Sequence, residues 1–314
     1  MSEKRCCWVL TGPTASGKTA LSIRLAQEFD CEIVCMDSMQ IYRGMDIGTA
    51  KPTEAERQGV PHHMLDVADP SEPFSVARYQ EMAEQAMADC FARGRRPLLV
   101  GGTGFYLRAL RHPMAMGDAP GDENLRAELQ SIAEQTDGRK LLHDELAAVD
   151  PKTAERLHVN DVRRVIRALE VYRLTGVPFS QQPQLQSEAP FRYRVATLTM
   201  DRATLYRRIE RRVDEMIASG LVDEVRGLLQ QGVPADAQAM KGLGYKELVP
   251  YLRGDCSLEQ AIDDMKLGTR HYAKRQLTWM RREEDVLWVD ALSDSAYAQL
   301  RQWYTEGDKE TDDD

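Results

Sequence analysis

The stretch Gly12-Pro13-Thr14-Ala15-Ser16-Gly17-Lys18-Thr19 matches the pattern G-x-x-x-x-G-K-[ST] at every fixed position. No other stretch constrains the fold as much. Such a turn works where a strand delivers the chain and a helix takes it away, because loop N–H groups and the helix N-terminus must face phosphate together. The flanks agree. Cys6 to Leu10 is an apolar run, and Leu21, Leu25, Ala26 and Phe29 share one face of a helix predicted over 17–29. Lys18 supplies an ammonium, and the Thr19 hydroxyl is placed to hold Mg²⁺. The loop announces a phosphate ligand without saying which.

Two further apolar runs end in polar residues. Cys31 to Met36 ends at Asp37, and Pro97-Leu98-Leu99-Val100 ends at Gly101-Gly102-Thr103. Strands separated by helices predict a parallel α/β sheet, in which ligands lie beyond the carboxyl ends of the strands. Asp37 and Thr103 therefore belong beside the phosphate loop. A carboxylate there suits proton acceptance or a metal-bound water, and the two glycines allow close backbone approach. The polar stretch from Asp37 to Pro52 brings Ser38, Met39 and Gln40 to the same edge. His62-His63 lacks the helical spacing of a metal pair and reads as structural.

The charge balance needs dissection before it says anything about partners. The net charge is −9, but Glu306 to Asp314 carries six acids and one lysine, so −5 of it sits in a terminal run expected to be a disordered tail over 305–314. Elsewhere the cations cluster: Arg163, Arg164 and Arg167; Arg207, Arg208, Arg211 and Arg212; Arg270, Lys274, Arg275, Arg281 and Arg282. Clusters of this kind on an otherwise acidic chain point to an anionic polymer. Six scattered cysteines show no zinc spacing and read as free thiols. No apolar run is long enough to span a membrane, and no signal-like segment follows Met1 to Arg5, so a cytoplasmic location is expected.

From His112 the character changes. A Pro/Gly/Met-rich linker runs to Asp122, followed by helical patterns at 123–135, 138–147, 151–157 and 161–175, then a polar loop from Gln181 to Pro190. A strand at 192–200, helices over 201–219, 221–230 and 257–282, and a strand at 286–289 resume the α/β pattern, with a glycine-containing basic turn at 241–246. The expected architecture is a parallel α/β core of the P-loop NTPase type, formed by 1–112 and 190–304, with a helical insertion domain over 113–189.

Read from the residues, the site suits two chemistries. A kinase would bind ATP on the loop and direct an acceptor hydroxyl with Asp37. An alkyl transferase would hold a leaving diphosphate there. Against the kinase stands Gly101-Gly102-Thr103, where an NTPase commonly carries an acid. A non-catalytic RNA-binding protein would leave the phosphate loop unexplained.

The phosphate loop, the run Asp37-Ser38 through Ile41-Tyr42-x-Gly44-Met45-Asp46-Ile47-Gly48-Thr49-Ala50-Lys51-Pro52, and Val100-Gly101-Gly102-Thr103 together resemble the bacterial tRNA dimethylallyltransferase family. So do Asp161-Val162-Arg163-Arg164 with Arg167-Ala168-Leu169-Glu170, Arg208-Ile209 with Arg212 and Met216, Gly244-Tyr245, and Lys274-Arg275-Gln276-Leu277-Thr278-Trp279-Met280-Arg281. The resemblance spans about residues 8 to 290. It implies transfer of a dimethylallyl group from dimethylallyl diphosphate, with Mg²⁺, to N6 of the adenosine 3′ to the anticodon in tRNAs reading codons that begin with U, by a protein taken to be a monomer. Gly12 to Thr19 would hold the diphosphate, with Thr19 on the metal, and Lys18, Arg208 and Arg212 would stabilise its charge. Asp37 would act as general base and Thr103 as an orienting group. The tRNA anticodon stem-loop would meet Asp37, Ser38, Met39, Gln40, Thr103, Arg126, Arg163-Arg164-Val165-Ile166-Arg167, Lys241-Gly242-Leu243-Gly244-Tyr245-Lys246 and Lys274 to Arg281. A related family, the adenylate isopentenyltransferases, uses the same donor on free nucleotide; the basic 274–281 run and the insertion favour a polymer.

Overall fold

The computed structural model describes residues 4–112, 121–182 and 188–312. The linker expected over 112–122 and the middle of the 181–190 loop lie largely outside these residues. The chain forms two compact units, 1–111 with 189–314, and 112–188.

In the first unit, six parallel strands lie in the order β3-β2-β4-β1-β5-β6. They are β1 (Cys6–Thr11), β2 (Cys31–Cys35), β3 (His62–His63), β4 (Arg96–Val100), β5 (Arg192–Thr199) and β6 (Val286–Asp290). The helices before the insertion are α1 (Lys18–Glu28), α2 (Glu54–Arg57), α3 (Val76–Ala92) and α4 (Gly104–Arg111). The insertion contains α5 (Glu123–Ala133), α6 (Gly138–Val149), α7 (Pro151–Arg156) and α8 (Val162–Thr175). After it come α9 (Arg202–Ala218), α10 (Leu221–Gln230), α11 (Tyr245–Arg253), α12 (Leu258–Met280) and α13 (Ala296–Asp312). No helix among the described residues is long and apolar enough to cross a membrane.

Every residue of β1 is buried, because helices cover both faces of the sheet. Its side chains alternate between two cores. Cys7 and Val9 join one with Val34, Leu99 and Val195, while Cys6, Trp8 and Leu10 join the other with Ile33, Leu98 and Leu198. The chain first builds the sheet on one side of β1 and then on the other. The end of β1 is therefore a topological switch point, where a ligand crevice opens. Helix starts are capped as the sequence suggests: Asp201 accepts the Thr204 N–H at 2.9 Å, and Ser257 accepts the Gln260 N–H at 3.1 Å.

The two histidines form edge strand β3. His63 Nε2 lies 2.6 Å from the Glu32 carboxylate, which also pairs with Arg93 at 2.6 Å. Glu32 is at the opposite end of β2 from Asp37, so this cluster fastens the far edge of the sheet.

One expectation is corrected here. The acidic run does not form a disordered tail from residue 305, since α13 continues to Asp312, with Asp313 and Asp314 outside the described residues. Ala296, Leu300, Trp303 and Tyr304 anchor the helix against the sheet, and extending an anchored helix costs far less than nucleating one. Tyr304 is fully buried and stacks between Trp8 and Phe29, each 4.3 Å away between ring centroids. Replacing Tyr304 by Ala should destabilise the sheet unit by about 3–5 kcal/mol, read from urea unfolding. A loss under about 1 kcal/mol would mean that α13 is not part of the core.

In the insertion, α5, α6, α7 and α8 pack around Leu129, Leu142, Leu146, Val165 and Leu169. Glu170 is fully buried, yet it accepts the Asp122 N–H at 2.8 Å and pairs with Arg126 Nε at 2.8 Å and Arg167 at 2.7 Å. Burial alone would raise its pKa. The bonds from Arg167, Asp122 and Arg126 instead hold it below the ordinary carboxylate value.

Candidate active site

Three strand ends are stitched together by backbone hydrogen bonds. The Met36 N–H donates to Val100 O at 2.7 Å, Gly101 N–H to Leu10 O at 3.3 Å, and Thr103 N–H to Met36 O at 3.2 Å. With β4 between β2 and β1, Asp37, Thr103 and the phosphate loop share one edge. Only glycine suits position 101, where a Cβ would fall 2.0 Å from Met36 O.

The phosphate loop takes left-handed backbone at Ala15 (φ 62°) and Gly17 (φ 90°), the form that turns successive N–H groups into a concave anion site. Ser16 Oγ is buried there with no protein partner. Lys18 Nζ spans the loop, donating to Gly12 O at 2.9 Å and Pro13 O at 2.7 Å. Burial lowers its pKa to about 8, with Asp37 opposing the shift and Arg212 adding to it. From α9, Arg208 reaches the loop: a Cβ on Gly17 would sit 3.5 Å from its guanidinium. Arg212, one turn on, is lowered by burial and steadied by Asp37.

Asp37 Oδ1 accepts the Met39 N–H at 2.9 Å, and Thr103 Oγ1 accepts the Ser38 N–H at 3.0 Å. The Asp37 charge acts on Lys18 and Arg212 and also on two tyrosines: burial raises the hydroxyl pKa values of Tyr106 and Tyr272, and the Asp37 charge adds to both. The Asp37–Pro52 stretch is held from outside. Glu224 on α10 accepts N–H bonds from Asp46, Ile47 and Gly48 and a hydrogen bond from Tyr245 at 2.6 Å. The Lys51 ammonium is buried between Tyr42 O, Asp46 and Asp66. Gln40 is committed to Thr49 O and Ala50 O, and Met39 packs against Gly242.

The expected RNA-facing residues divide by burial. Lys274, Arg275, Thr278 and Arg281 on or beside α12, Lys241 and Lys246, and Arg163, Arg164 and Arg126 of the insertion are exposed. Arg167 is half-buried against Glu170, and Leu243 and Leu277 are half-buried. Val165, Ile166, Gly242, Gly244, Tyr245, Gln276 and Met280, also expected at the RNA, are buried. The reason is helical period: a basic run on a buried helix must turn about half its residues inward. Tyr245 fills the space beside Gly48, where a Cβ would come 2.6 Å from its ring. Trp279 is half-buried against Gly104 and, with His271, Lys274, Arg275, Thr278 and Arg282, lines an open recess of about 400 Å³. Local sequence patterns single out neither Tyr272 nor Glu224. Tyr272 stands one helical turn before Gln276, and that spacing is the signal that could have found it; Glu224 has none.

A phosphate loop facing a carboxylate, with glycines and a threonine where a nucleotide hydrolase commonly carries its acid, defines a group-transferring enzyme on a parallel α/β sheet. Residues 40–283 match the family described as IPP transferase, and residues 6–71 that described as isopentenyl transferase. The tRNA dimethylallyltransferase of Desulforudis audaxviator (strain MP104C) is 53% identical over 90% of this chain and 91% of its own. That of Geobacillus thermodenitrificans (strain NG80-2) is 50% identical over 92% of each. Among solved structures, the tRNA isopentenylpyrophosphate transferase of Bacillus halodurans is 43% identical, with a TM-score of 0.72 over 98% of this chain and 99% of that one. A eukaryotic dimethylallyltransferase acting on tRNA is 31% identical, with a TM-score of 0.81 over 98% of this chain and 80% of that one. The chain belongs to the IPP transferase family.

Proposed function

We propose that the protein transfers a dimethylallyl group from dimethylallyl diphosphate to N6 of the adenosine 3′ to the tRNA anticodon, in tRNAs reading codons that begin with U, and releases diphosphate. The observation that carries this reading is the placement of Asp37 beside the phosphate loop, with Thr103 at the neighbouring strand end. The C–O bond breaks with its electrons passing to the diphosphate. Loop N–H groups, Lys18 and Arg208 stabilise that growing charge, with Arg212 behind them. The adenine N6 is a weak nucleophile. Asp37 accepts its hydrogen bond and takes the proton as the C–N bond forms. Thr103 holds the Ser38 backbone and so orients Asp37.

The Thr19 hydroxyl, together with donor phosphate oxygens, makes the hard oxygen set that Mg²⁺ prefers, and the unpartnered Ser16 hydroxyl nearby suits a bound phosphate. When bound there, Mg²⁺ supplies further positive charge against the leaving diphosphate. An anticodon loop is single-stranded, so turning out one base costs little. The exposed cations of α12, the 241–246 turn and α8 take the RNA backbone, and the recess beside Trp279 suits a stacked base. The same reading takes the protein as a cytoplasmic monomer.

The test is incubation with Mg²⁺, labelled dimethylallyl diphosphate and an anticodon stem-loop. Label should appear on a loop carrying the adenosine and not on one where another base replaces it; no label on the first disproves the reading. Replacing Lys274, Arg275 and Arg281 together by Ala should also reduce the slope of log affinity against log salt by roughly 2–3. An unchanged slope would remove this helix from the RNA interface.

A further inference from the structure

Gln276 lies on the inward face of α12, 8% exposed, with both ends of its side-chain amide engaged. Oε1 accepts the Thr14 N–H at 2.9 Å, and Nε2 donates to the Gly102 carbonyl at 3.0 Å. The amide orientation is unambiguous, because a backbone N–H only donates and a carbonyl only accepts. Thr14 belongs to the phosphate loop, and Gly102 immediately precedes Thr103. One side chain therefore bridges the loop that receives the leaving group and the loop beside Asp37. The bridge is tightly seated, since a Cβ on Gly102 would fall 2.0 Å from Nε2. One turn earlier on the helix, Tyr272 lies close to both Gln276 and Thr103.

We propose that Gln276 is a positioning residue for the transfer reaction. Its amide sets the separation of the phosphate loop from Thr103 and Asp37, so that the leaving diphosphate and the accepting carboxylate flank the same reacting carbon. This rests on the reading of the loop as the donor site. Pinning Thr14 has a local consequence as well. The next residue, Ala15, holds φ 62°, a costly conformation for a residue with a Cβ that persists only where its surroundings impose it. Loss of the pin lets the loop relax away from its anion-binding form. The exposed neighbours Lys274, Arg275 and Thr278 face the other way, so the effect of Gln276 on catalysis is separable from RNA binding.

Two variants divide the possibilities. Gln276→Met keeps the length and removes both hydrogen bonds. Gln276→Glu keeps the acceptor for Thr14 and regains a donor for Gly102 only when protonated. The measurements are single-turnover transfer at saturating stem-loop, stem-loop affinity, and affinity for inorganic diphosphate with Mg²⁺. Gln276→Met should slow single-turnover transfer by roughly 10–100-fold and weaken diphosphate to a similar degree, with stem-loop affinity within about twofold of wild type. Relative to wild type, Gln276→Glu should recover as the pH falls toward the pKa of the buried carboxyl, which burial and the facing Gly102 carbonyl raise above its ordinary value of about 4.3, because the acid form restores the Gly102 bond. If Gln276→Met fails to fold, the pH profile of Gln276→Glu decides alone. Wild-type rates in both variants would overturn the proposal, as would a Gln276→Glu profile parallel to wild type, or weakened stem-loop binding with an unchanged single-turnover rate. A wild-type protein that transfers nothing overturns the donor reading itself; one that transfers normally while Gln276→Met is unimpaired overturns only this proposal.

Discussion

Replacing Asp37 by Asn should lower single-turnover dimethylallyl transfer by about 10²–10⁴, the usual worth of a positioned general base. Asn is the informative substitution because its side-chain oxygen can still accept the Met39 N–H that Asp37 Oδ1 accepts at 2.9 Å. The loop is kept, and only proton acceptance is lost. A second effect accompanies it. The Asp37 charge raises the Lys18 pKa against the burial that lowers it. Without that charge, Lys18 should lose its proton at lower pH, and the alkaline limb of donor binding should move down in pH. A rate within about threefold of wild type would remove Asp37 from the proton transfer.

Replacing Lys18 by Met should cost about 10²–10³ in transfer, the scale seen when one donor to a developing oxyanion is removed. The wild-type pH dependence follows from its position. Burial lowers Lys18 from 10.5 to about 8, so the free protein loses its ammonium as pH rises through that value, and the specificity constant for the donor should fall there. Bound diphosphate favours the charged amine, so the limb in kcat should lie at higher pH. Stability has the opposite sign. The folded pKa lies below the unfolded one, so the unfolded chain binds more protons between about pH 8 and 10.5, and the Lys18 contribution to stability should increase across that window. Melting temperatures of wild type and Lys18→Met across that range test this. Identical pH profiles would mean that Lys18 is not held as described.

The parts of the site legible in the amino-acid sequence are those encoded locally. A glycine-rich turn between strand and helix, and acids or glycines at the ends of apolar runs, are short-range patterns, and they locate Gly12 to Thr19, Asp37 and Thr103. What stays hidden depends on which way a side chain turns in the packed state. Gln276 and Arg275 are adjacent in the same basic run, yet one bridges two loops in the interior and the other faces outward. Tyr245 resembles a stacking residue beside two lysines, but its ring packs on Gly48 and its hydroxyl holds Glu224. Glu224 serves a loop 176 residues away through Gly48, a pairing no local pattern records. In α13, a terminal run of acids conceals the anchor formed by Trp303 and Tyr304.

The central claim is that the phosphate loop holds a leaving diphosphate, so that the bond broken is carbon–oxygen and not phosphorus–oxygen. Dimethylallyl diphosphate carrying heavy oxygen in the bridging position tests this directly, with an anticodon stem-loop as acceptor. All of the heavy oxygen should be found in the released diphosphate, while the RNA gains a dimethylallyl group and no label. Heavy oxygen in released dimethylallyl alcohol, with an RNA that gains a phosphoryl group in place of the dimethylallyl group, would contradict the account.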